Sequence, residues 1–495
     1  MNNSKNLIIE AKKFYIKKNF FEAKTCLLQA LKDPQINKTL KMSLYILVSD
    51  VCYKINEFGN AEMYLLKYVD EDNSNSKVYN LLGNIYLKKR DYKNSERFYL
   101  ESIKLDENNE LALVNLAILY HNLGKQKKAI SFYKKILSIN PKNIGALYNL
   151  SSIDKFSINE EKIENLKNLI KEKKLDNFNI ASCYFLLAED EKKKKNFDQE
   201  IDLLLKANTF SFKNNENINN QSNEYWFNII SNKFNKIEYL QNKKILIDSK
   251  EIFPIFIIGL PRCGSTLIES IISSGKEKIE NLGETNLVNW AFLNTNKDIL
   301  SSSNGKKITI NFDLTAKKLK DSIGNLNIKN ENKKIFFSEK SLENFYYIEL
   351  LLNIYPNAKF INPYRNLIDN IFAIYKQFLS NISWSHSLED ILLYIDNYLF
   401  TIDYFKQKYS DKIFSISLEN FTENPKKSAM DIYKFCNLKW DEKCLEFHKR
   451  DDLFTNTASI NQIRTSVQKY DKTKYDPYKK ILNEYHDRFG WLNNN

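Results

Sequence analysis

The sequence of 495 residues lacks a hydrophobic run that could cross a membrane. Its longest run, Ile252 to Leu260, is far shorter than the ~20 residues that a spanning helix needs. No apolar signal core follows the N-terminal Met-Asn-Asn-Ser-Lys-Asn. The six cysteines are scattered without a CxxC pair, and the four histidines lie far apart. We therefore expect a cytoplasmic protein with no disulfide scaffold, no membrane span and no metal.

Arginine is also scarce, with seven residues against 67 lysines, although the net charge is +13. A positive net charge favours anionic partners. The lysines are mixed with glutamates along the whole chain instead of forming a basic stripe interleaved with aromatic residues, so nucleic acid is not an expected partner. The guanidinium group offers a planar fork for phosphate that lysine lacks. Arg262, Arg365 and Arg464, which all lie inside motifs, are therefore the most informative positive charges.

A repeat occupies the N-terminal part of the chain. Leu82-Gly83-x-x-Tyr86 recurs 34 residues later as Leu116-Ala117-x-x-Tyr120. This period and pattern are typical of tetratricopeptide repeats, in which small residues let two helices approach each other. We expect five or six helical hairpins over residues 4–212, forming an all-α solenoid. Its concave surface would hold a peptide, a partner protein or a second copy of the chain, and the period alone does not exclude helical packing without a binding role.

The pattern changes after a predicted helical connector over residues 213–250. A short β-branched run, Ile255 to Ile258, predicts a buried parallel strand, and Gly259 and Gly264 bracket the turn that follows it. A strand, a turn and a helix N-terminus place backbone N–H groups around an anion. The spacing is close to that of a nucleotide P-loop, but Ser265 stands at the position of the essential lysine. This substitution argues against an ordinary ATPase or kinase.

Pro261-Arg-Cys-Gly-Ser-Thr-Leu267 resembles the 5′-phosphosulfate loop of the sulfotransferases, Pro-Arg-Ser-Gly-Thr-Thr-Leu. With the repeats, the chain resembles bacterial proteins that join tetratricopeptide repeats to a sulfotransferase domain and, more distantly, the tyrosylprotein sulfotransferases. The resemblance implies a P-loop-like α/β domain with a parallel sheet over residues 251–490, using 3′-phosphoadenosine 5′-phosphosulfate as co-substrate. The loop residues that it implies for nucleotide binding are Arg262, Cys263, Gly264, Ser265, Thr266 and Leu267. Cys263 is expected to be a packed side chain, because no histidine follows nearby to activate it.

Three further residues match catalytic positions of this family. In the tyrosylprotein branch a glutamate in a Gly-Glu context is the general base, which implies this role for Glu284. Lys340, in a segment similar to Asp-Lys-x-Pro-x-Asn, would contact the oxygen that bridges phosphate and sulfonate. Ser459, in a segment similar to Thr-Ala-Ser-x-x-Gln-Val-Arg, would stabilise the transferring sulfonate together with Lys340.

Two basic residues match the positions that bind the remaining phosphate groups. The resemblance implies that Arg365 binds the 3′-phosphate, and a bidentate guanidinium suits this group. The serine that the family carries eight residues later is Ala373 here, so one hydroxyl contact is missing. Lys474 lies where relatives carry Gly-Arg-Trp and is a candidate to cover the nucleotide phosphates.

The implied reaction is transfer of a sulfonate to a hydroxyl group of a peptide, a protein, a carbohydrate or a small metabolite. The Glu284 base and the basic chain suggest protein tyrosine, and a sugar hydroxyl remains an open alternative. A second interpretation is a repeat scaffold whose sulfotransferase-like domain has weak activity or none. Ala373 and the missing Gly-Arg-Trp favour the scaffold, whereas the match at Glu284, Lys340 and Arg365 opposes it.

Overall fold

The computed structural model describes residues 2–154, 157–240, 252–300, 308–324, 326, 335–450, 452–457 and 459–494. The chain forms two compact units. The first comprises Met1–His121, Lys125–Ala146 and Lys318–Lys329, and the second comprises Asn122–Gly124, Leu147–Lys317 and Asn330–Asn495. The segments 4–212, 213–250 and 251–490 remain a proposal from sequence, and residues 241–251 at their junction lie outside the described residues.

Twelve consecutive helices make up the region of the predicted repeats. They are α1 (Asn2–Ile16), α2 (Phe20–Leu31), α3 (Lys38–Lys54), α4 (Phe58–Glu71), α5 (Ser76–Lys88), α6 (Tyr92–Leu105), α7 (Glu110–Asn122), α8 (Gln126–Ile139), α9 (Ile144–Ile153), α10 (Glu160–Lys171), α11 (Asn177–Lys193) and α12 (Phe197–Asn214). Neighbours pack in pairs, as α1 does with α2, α3 with α4, α5 with α6, and α11 with α12. The predicted helical solenoid is confirmed.

The 34-residue period reappears in the hydrogen bonds. The side chains of Asn75, Asn109 and Asn143 each accept a backbone N–H at the start of the following helix, over 3.1, 3.2 and 2.8 Å. Gly83 lies against the ring of Tyr99, and an added Cβ would come within 2.4 Å of it. The small residue of the repeat is therefore required by the close approach of α5 and α6.

The described residues of the rest of the chain form ten more α-helices and seven strands. The helices are α13 (Glu216–Glu224), α14 (Ser231–Lys233), α15 (Ser265–Ile272), α16 (Leu287–Thr295), α17 (Phe312–Gly324), α18 (Ile348–Ile354), α19 (Leu367–Tyr375), α20 (Leu388–Lys408), α21 (Leu418–Glu423) and α22 (Pro425–Phe435). The strands are β1 (Ile237–Leu240), β2 (Ile252–Ile257), β3 (Glu280–Asn281), β4 (Ile308–Asn311), β5 (Ile335–Glu339), β6 (Lys359–Tyr364) and β7 (Ile413–Ser417). A π-helical turn over Tyr225–Ile230 joins α13 to α14.

Five strands form one parallel sheet in the order β3-β5-β2-β6-β7. Its central strand is buried as predicted, and Phe256 on β2 pairs with Phe360 on β6. Apolar residues of α15 and α22 pack against the sheet around Ile257 and Ile361. Strands β1 and β4 form a separate parallel pair. The predicted α/β domain with a parallel sheet is confirmed.

Across the described residues, no helix is both long enough and apolar enough to span a bilayer. The same part of the chain contains no group of three histidine, cysteine or acidic side chains that could hold a metal ion.

Candidate active site

The carboxyl ends of the five parallel strands meet at one edge of the sheet, which is where ligands bind in open α/β folds. Each of four strands is followed closely by a predicted site residue: Arg262 follows β2, Glu284 follows β3, Lys340 follows β5 and Arg365 follows β6. The topology therefore brings together residues that are up to 103 positions apart in the sequence.

The loop after β2 has an unusual backbone. Gly259, Arg262 and Gly264 have φ values of +136°, +67° and +95°. A Cβ on Gly264 would come within 2.8 Å of the Leu418 side chain, so glycine is required there for both conformation and space. Helix α15 begins at the next residue, Ser265, and its first N–H groups lie at the loop. The Asn370 amide on α19 donates to the Pro261 carbonyl oxygen over 2.7 Å and fixes the loop.

Lys340 is the most deeply buried cation of the site, with no exposed side-chain surface. Its ammonium nitrogen lies 2.6 Å from Glu284 Oε1 and 3.9 Å from Glu269 Oε2, on α15. Burial alone would lower the pKa of Lys340, but Glu284 and Glu269 outweigh it, and the pKa is raised. Lys340 is therefore held as a cation beside Glu284, whose side chain is 43% exposed.

Arg262 connects the loop after β2 to the C-terminal segment that contains Thr457 and Ser459. Its Nη1 donates to Ser459 Oγ, and Thr266 Oγ1 lies 3.2 Å from Thr457 Oγ1. The Arg262 Nε is buried and has no hydrogen-bond partner among the described residues. Burial lowers the pKa of Arg262. A buried, unpartnered guanidinium N–H at this position suits an anionic ligand.

Arg365 lies beside the same loop. Its Nη1 donates to the Arg262 carbonyl oxygen over 3.3 Å, and its Nη2 donates to the Tyr470 hydroxyl over 2.7 Å. The ring centroid of Tyr475 is 5.5 Å from the guanidinium. The exposed Lys474 lies 5.4 Å from the centroid of that ring. Arg365 and Lys474 thus both lie near the Tyr475 ring, and every predicted site residue belongs to this edge of the sheet or to the segments next to it.

Comparison with known proteins finds two kinds of family model that match this chain. The model of the sulfotransferase family matches residues 254–442, and tetratricopeptide repeat models match residues 76–109 and 111–143. The chain joins tetratricopeptide repeats to a sulfotransferase-family domain. The family match covers the phosphate loop, Glu284, Lys340 and Arg365, and ends before Ser459 and Lys474.

One curated relative is a protein from Aquifex aeolicus (strain VF5) with the name "Uncharacterized protein", 25% identical over 358 residues. The match covers 67% of this chain, and the chain spans only 44% of that relative's length. Solved structures similar to the chain include MamA (18% identity, TM-score 0.26, 41% of this chain and 95% of that one) and Pseudomonas aeruginosa PilF (16%, 0.33, 41% and 90%).

Glu339 is a residue of the sulfotransferase domain whose importance sequence reasoning missed. It is buried, and its carboxylate accepts from Thr285 Oγ1 over 2.7 Å and from the Asn344 amide over 2.5 Å. Its pKa is raised by burial, against the hydrogen bonds from Ser341 and Thr285. Glu339 ties the segment after Glu284 to the end of β5 and so fixes the distance between Glu284 and Lys340. The position of Glu339 directly before Lys340 in the motif was the one sequence feature that could have indicated its importance.

Tyr470 and Asp369 were also missed. The Tyr470 hydroxyl donates to Asp369 Oδ2, and Arg365 Nη2 lies 3.7 Å from the same oxygen. Asp369 lies in the first turn of α19, four residues after Arg365, which precedes that helix. Tyr470 lies 105 residues from Arg365, so no local pattern could have indicated it.

Two residues of the motifs take no direct part in this cluster of charges. Ala373 is buried within α19 and brings no hydroxyl. Arg464 donates to the carbonyl oxygens of Asn122 and Leu453 over 3.0 and 2.6 Å, which gives it a structural role in the C-terminal segment.

Cys263 of the loop is expected to resist alkylation. It is fully buried, and burial raises the pKa of its thiol to about 11. Roughly one thiol in a thousand is then ionised at pH 8, and the thiolate is the reactive form. Iodoacetamide labelling of the native protein at pH 8, followed by peptide mass spectrometry, should leave Cys263 unmodified, whereas labelling in guanidinium chloride should modify it. Rapid labelling in the native protein would mean that the loop opens.

Proposed function

We propose that this protein transfers a sulfonate group from 3′-phosphoadenosine 5′-phosphosulfate to a hydroxyl group of an acceptor, with Glu284 as the general base. The observation that carries the proposal is the 2.6 Å contact between the buried Lys340 ammonium and Glu284, beside a loop of backbone N–H groups. A sulfotransferase needs a cation at the bond that breaks and a carboxylate at the hydroxyl that attacks. Here the two groups are adjacent.

The residues of the candidate site are suited to binding this nucleotide. The loop and the start of α15 offer backbone donors for the 5′-phosphate, and the unpartnered Arg262 Nε adds a charged donor. Arg365, with Lys474 near the same Tyr475 ring, is the candidate for the 3′-phosphate. Asp369 pairs with this guanidinium, because its Oδ2 lies 3.7 Å from Arg365 Nη2, and the Tyr470 hydroxyl contacts both side chains.

The bond changes assign a task to each catalytic side chain. The acceptor oxygen forms a bond to sulfur, the bond from sulfur to the bridging oxygen breaks, and the acceptor proton passes to Glu284. The half-exposed Glu284 is accessible to an acceptor from solvent, whereas the buried Lys340 faces the interior, where charge develops on the bridging oxygen. Ser459, held by Arg262, supplies a second polar contact to the sulfonate. Positioning and electrostatics then supply the rate enhancement.

For the acceptor we propose a hydroxyl group on a peptide, a protein or a carbohydrate, with a small metabolite as the further alternative. Tetratricopeptide repeats indicate interaction with proteins, which supports a peptide or protein acceptor held by the solenoid. A partner protein or a second copy of the chain would use the same surface. Incubation of cell extract with the protein and donor labelled in its sulfonate, followed by identification of the labelled product, distinguishes these acceptors.

Replacing Arg365 by alanine is expected to weaken binding of 3′-phosphoadenosine 5′-phosphate by ~10–100-fold, because a charge-assisted, bidentate phosphate contact is lost. Isothermal titration calorimetry on the full-length protein measures this. The matched control is Arg488→Ala, which removes an exposed arginine that pairs with Glu389 and should not change the affinity. Equal affinities of the Arg365 variant and the wild type would show that Arg365 does not bind the nucleotide.

The alternative function is a scaffold that binds a protein partner through the repeats and has little or no transferase activity. The absence of a hydroxyl at Ala373 favours it, because one phosphate contact of the family is lost. The same titration separates the two functions. Wild-type protein that fails to bind 3′-phosphoadenosine 5′-phosphate at millimolar concentration would support the scaffold.

A further inference from the structure

A buried ion pair joins the helix α12 to the sulfotransferase domain within the second compact unit. Lys376, directly after α19, has its Nζ 2.8 Å from Glu200 Oε1, and the side chains are only 13% and 2% exposed. The Tyr478 hydroxyl donates to Glu200 Oε2 over 2.7 Å and accepts from Lys376. Glu200 therefore binds one residue that follows α19 and one residue of the C-terminal segment.

Tyr478 is connected to the Arg365 site through the aromatic rings of Phe372 and Tyr475. The ring of Phe372, on α19, lies 5.5 Å from that of Tyr478 and stacks on that of Tyr475 at 6.4 Å. The Tyr478 N–H also donates to the Tyr475 carbonyl oxygen over 3.0 Å. Tyr475 in turn faces the Arg365 guanidinium at 5.5 Å. A shift of Tyr478 would consequently move the ring that covers Arg365.

Stability alone does not account for this ion pair. A buried pair costs so much desolvation that an apolar replacement is often as stable, so such a pair is better explained by the geometry that it specifies. The Asn208 amide on α12 donates to the Tyr375 carbonyl oxygen over 3.0 Å, which adds a second polar contact between α12 and α19. The same contacts therefore specify both the position of α12 and the position of the segment Tyr475–Tyr478.

We infer that Glu200 is a positioning residue that holds the segment Tyr475–Tyr478 over Arg365, so that a helix of the repeat region forms part of the support of the 3′-phosphate site. The inference rests on the proposed function, in which Arg365 binds the 3′-phosphate. Glu200 lies outside the sulfotransferase family match and inside the predicted repeats. Removing the repeats would accordingly impair nucleotide binding as well as any partner binding.

The test compares full-length wild type with Glu200→Gln and Tyr478→Phe. Asp198→Asn is the matched control, because it removes an exposed ion pair with Lys480 from the same helix and the same C-terminal segment. Hydrogen exchange of peptides covering residues 470–480, measured without nucleotide, reports the order of the segment. Calorimetric titrations with 3′-phosphoadenosine 5′-phosphate and with adenosine 5′-phosphate measure the affinity of the candidate site for each nucleotide.

We expect Glu200→Gln and Tyr478→Phe to speed exchange in the segment and to weaken binding of the 3′-phosphorylated nucleotide by ~5–10-fold, with adenosine 5′-phosphate affected less than twofold. Asp198→Asn should behave as wild type. Equal losses for both nucleotides would indicate general damage and overturn the inference, as would unchanged exchange in both variants. Wild-type protein that binds neither nucleotide would refute the proposed function, while the exchange data would still decide whether Glu200 positions the segment.

Discussion

Glutamine at position 284 is expected to reduce sulfonate transfer by ~10²–10⁴-fold, because the amide cannot accept the acceptor's proton. Affinity for 3′-phosphoadenosine 5′-phosphate should stay within about threefold of wild type, since Glu284 contacts Lys340 and is not part of the phosphate loop. Transfer is measured with donor labelled in its sulfonate and the acceptor identified from extract. Binding is measured by calorimetry on the same preparation.

Glu280→Gln is the matched control for this experiment. Glu280 lies on β3, four residues before Glu284, and pairs with Lys278 at 3.6 Å near the surface. It should transfer sulfonate at the wild-type rate. Retained turnover in Glu284→Gln would show that Glu284 is not the general base. Loss of turnover in both Glu284→Gln and Glu280→Gln would indicate that the substitutions damage the segment that contains the two residues.

Methionine at position 340 is expected to have two large effects. Transfer should fall by ~10²–10³-fold, because no cation remains at the bridging oxygen. The free energy of unfolding should fall by ~3–5 kcal/mol, because the buried Glu269 loses a compensating charge. Single-turnover transfer assays measure the first effect and urea denaturation measures the second.

The double variant Lys340→Met with Glu269→Gln separates the two effects. Neutralising Glu269 removes the buried negative charge that faces position 340, so part of the stability should return while transfer stays low. Recovery of transfer together with stability would show that Lys340 acts through folding alone. A Lys340→Met variant with wild-type stability would mean that Glu269 does not depend on Lys340.

The local patterns of the sequence were sufficient for the fold, whereas the candidate site residues came from the resemblance to the sulfotransferases. The 34-residue period predicts the helix pairs, because each pair buries its small residues in the same way, as at Gly83. A β-branched run followed by glycines predicts the strand, loop and helix around Arg262, because each step is a local preference of the backbone. Lys340 and Arg365 follow strands, so their convergence is a consequence of parallel pairing.

Contacts between distant segments could not be predicted in this way. Tyr470, Tyr475 and Tyr478 lie in and around the 3₁₀-helical segment Asp476–Tyr485, and no local pattern connects this segment to Arg365. Glu200 reads as one more charged residue of an amphipathic helix, yet it is 2% exposed. Its partners are 176 and 278 positions away, and only the packing of α12 against α19 brings them together.

The asparagine caps at positions 75, 109 and 143 have a consequence for how the array comes apart. Each of these three hairpins carries its own cap, so the loss of one loosens a single repeat while its neighbours keep theirs. Damage along the array would therefore be graded, spreading from one repeat to the next, instead of collapsing the whole array in a single step.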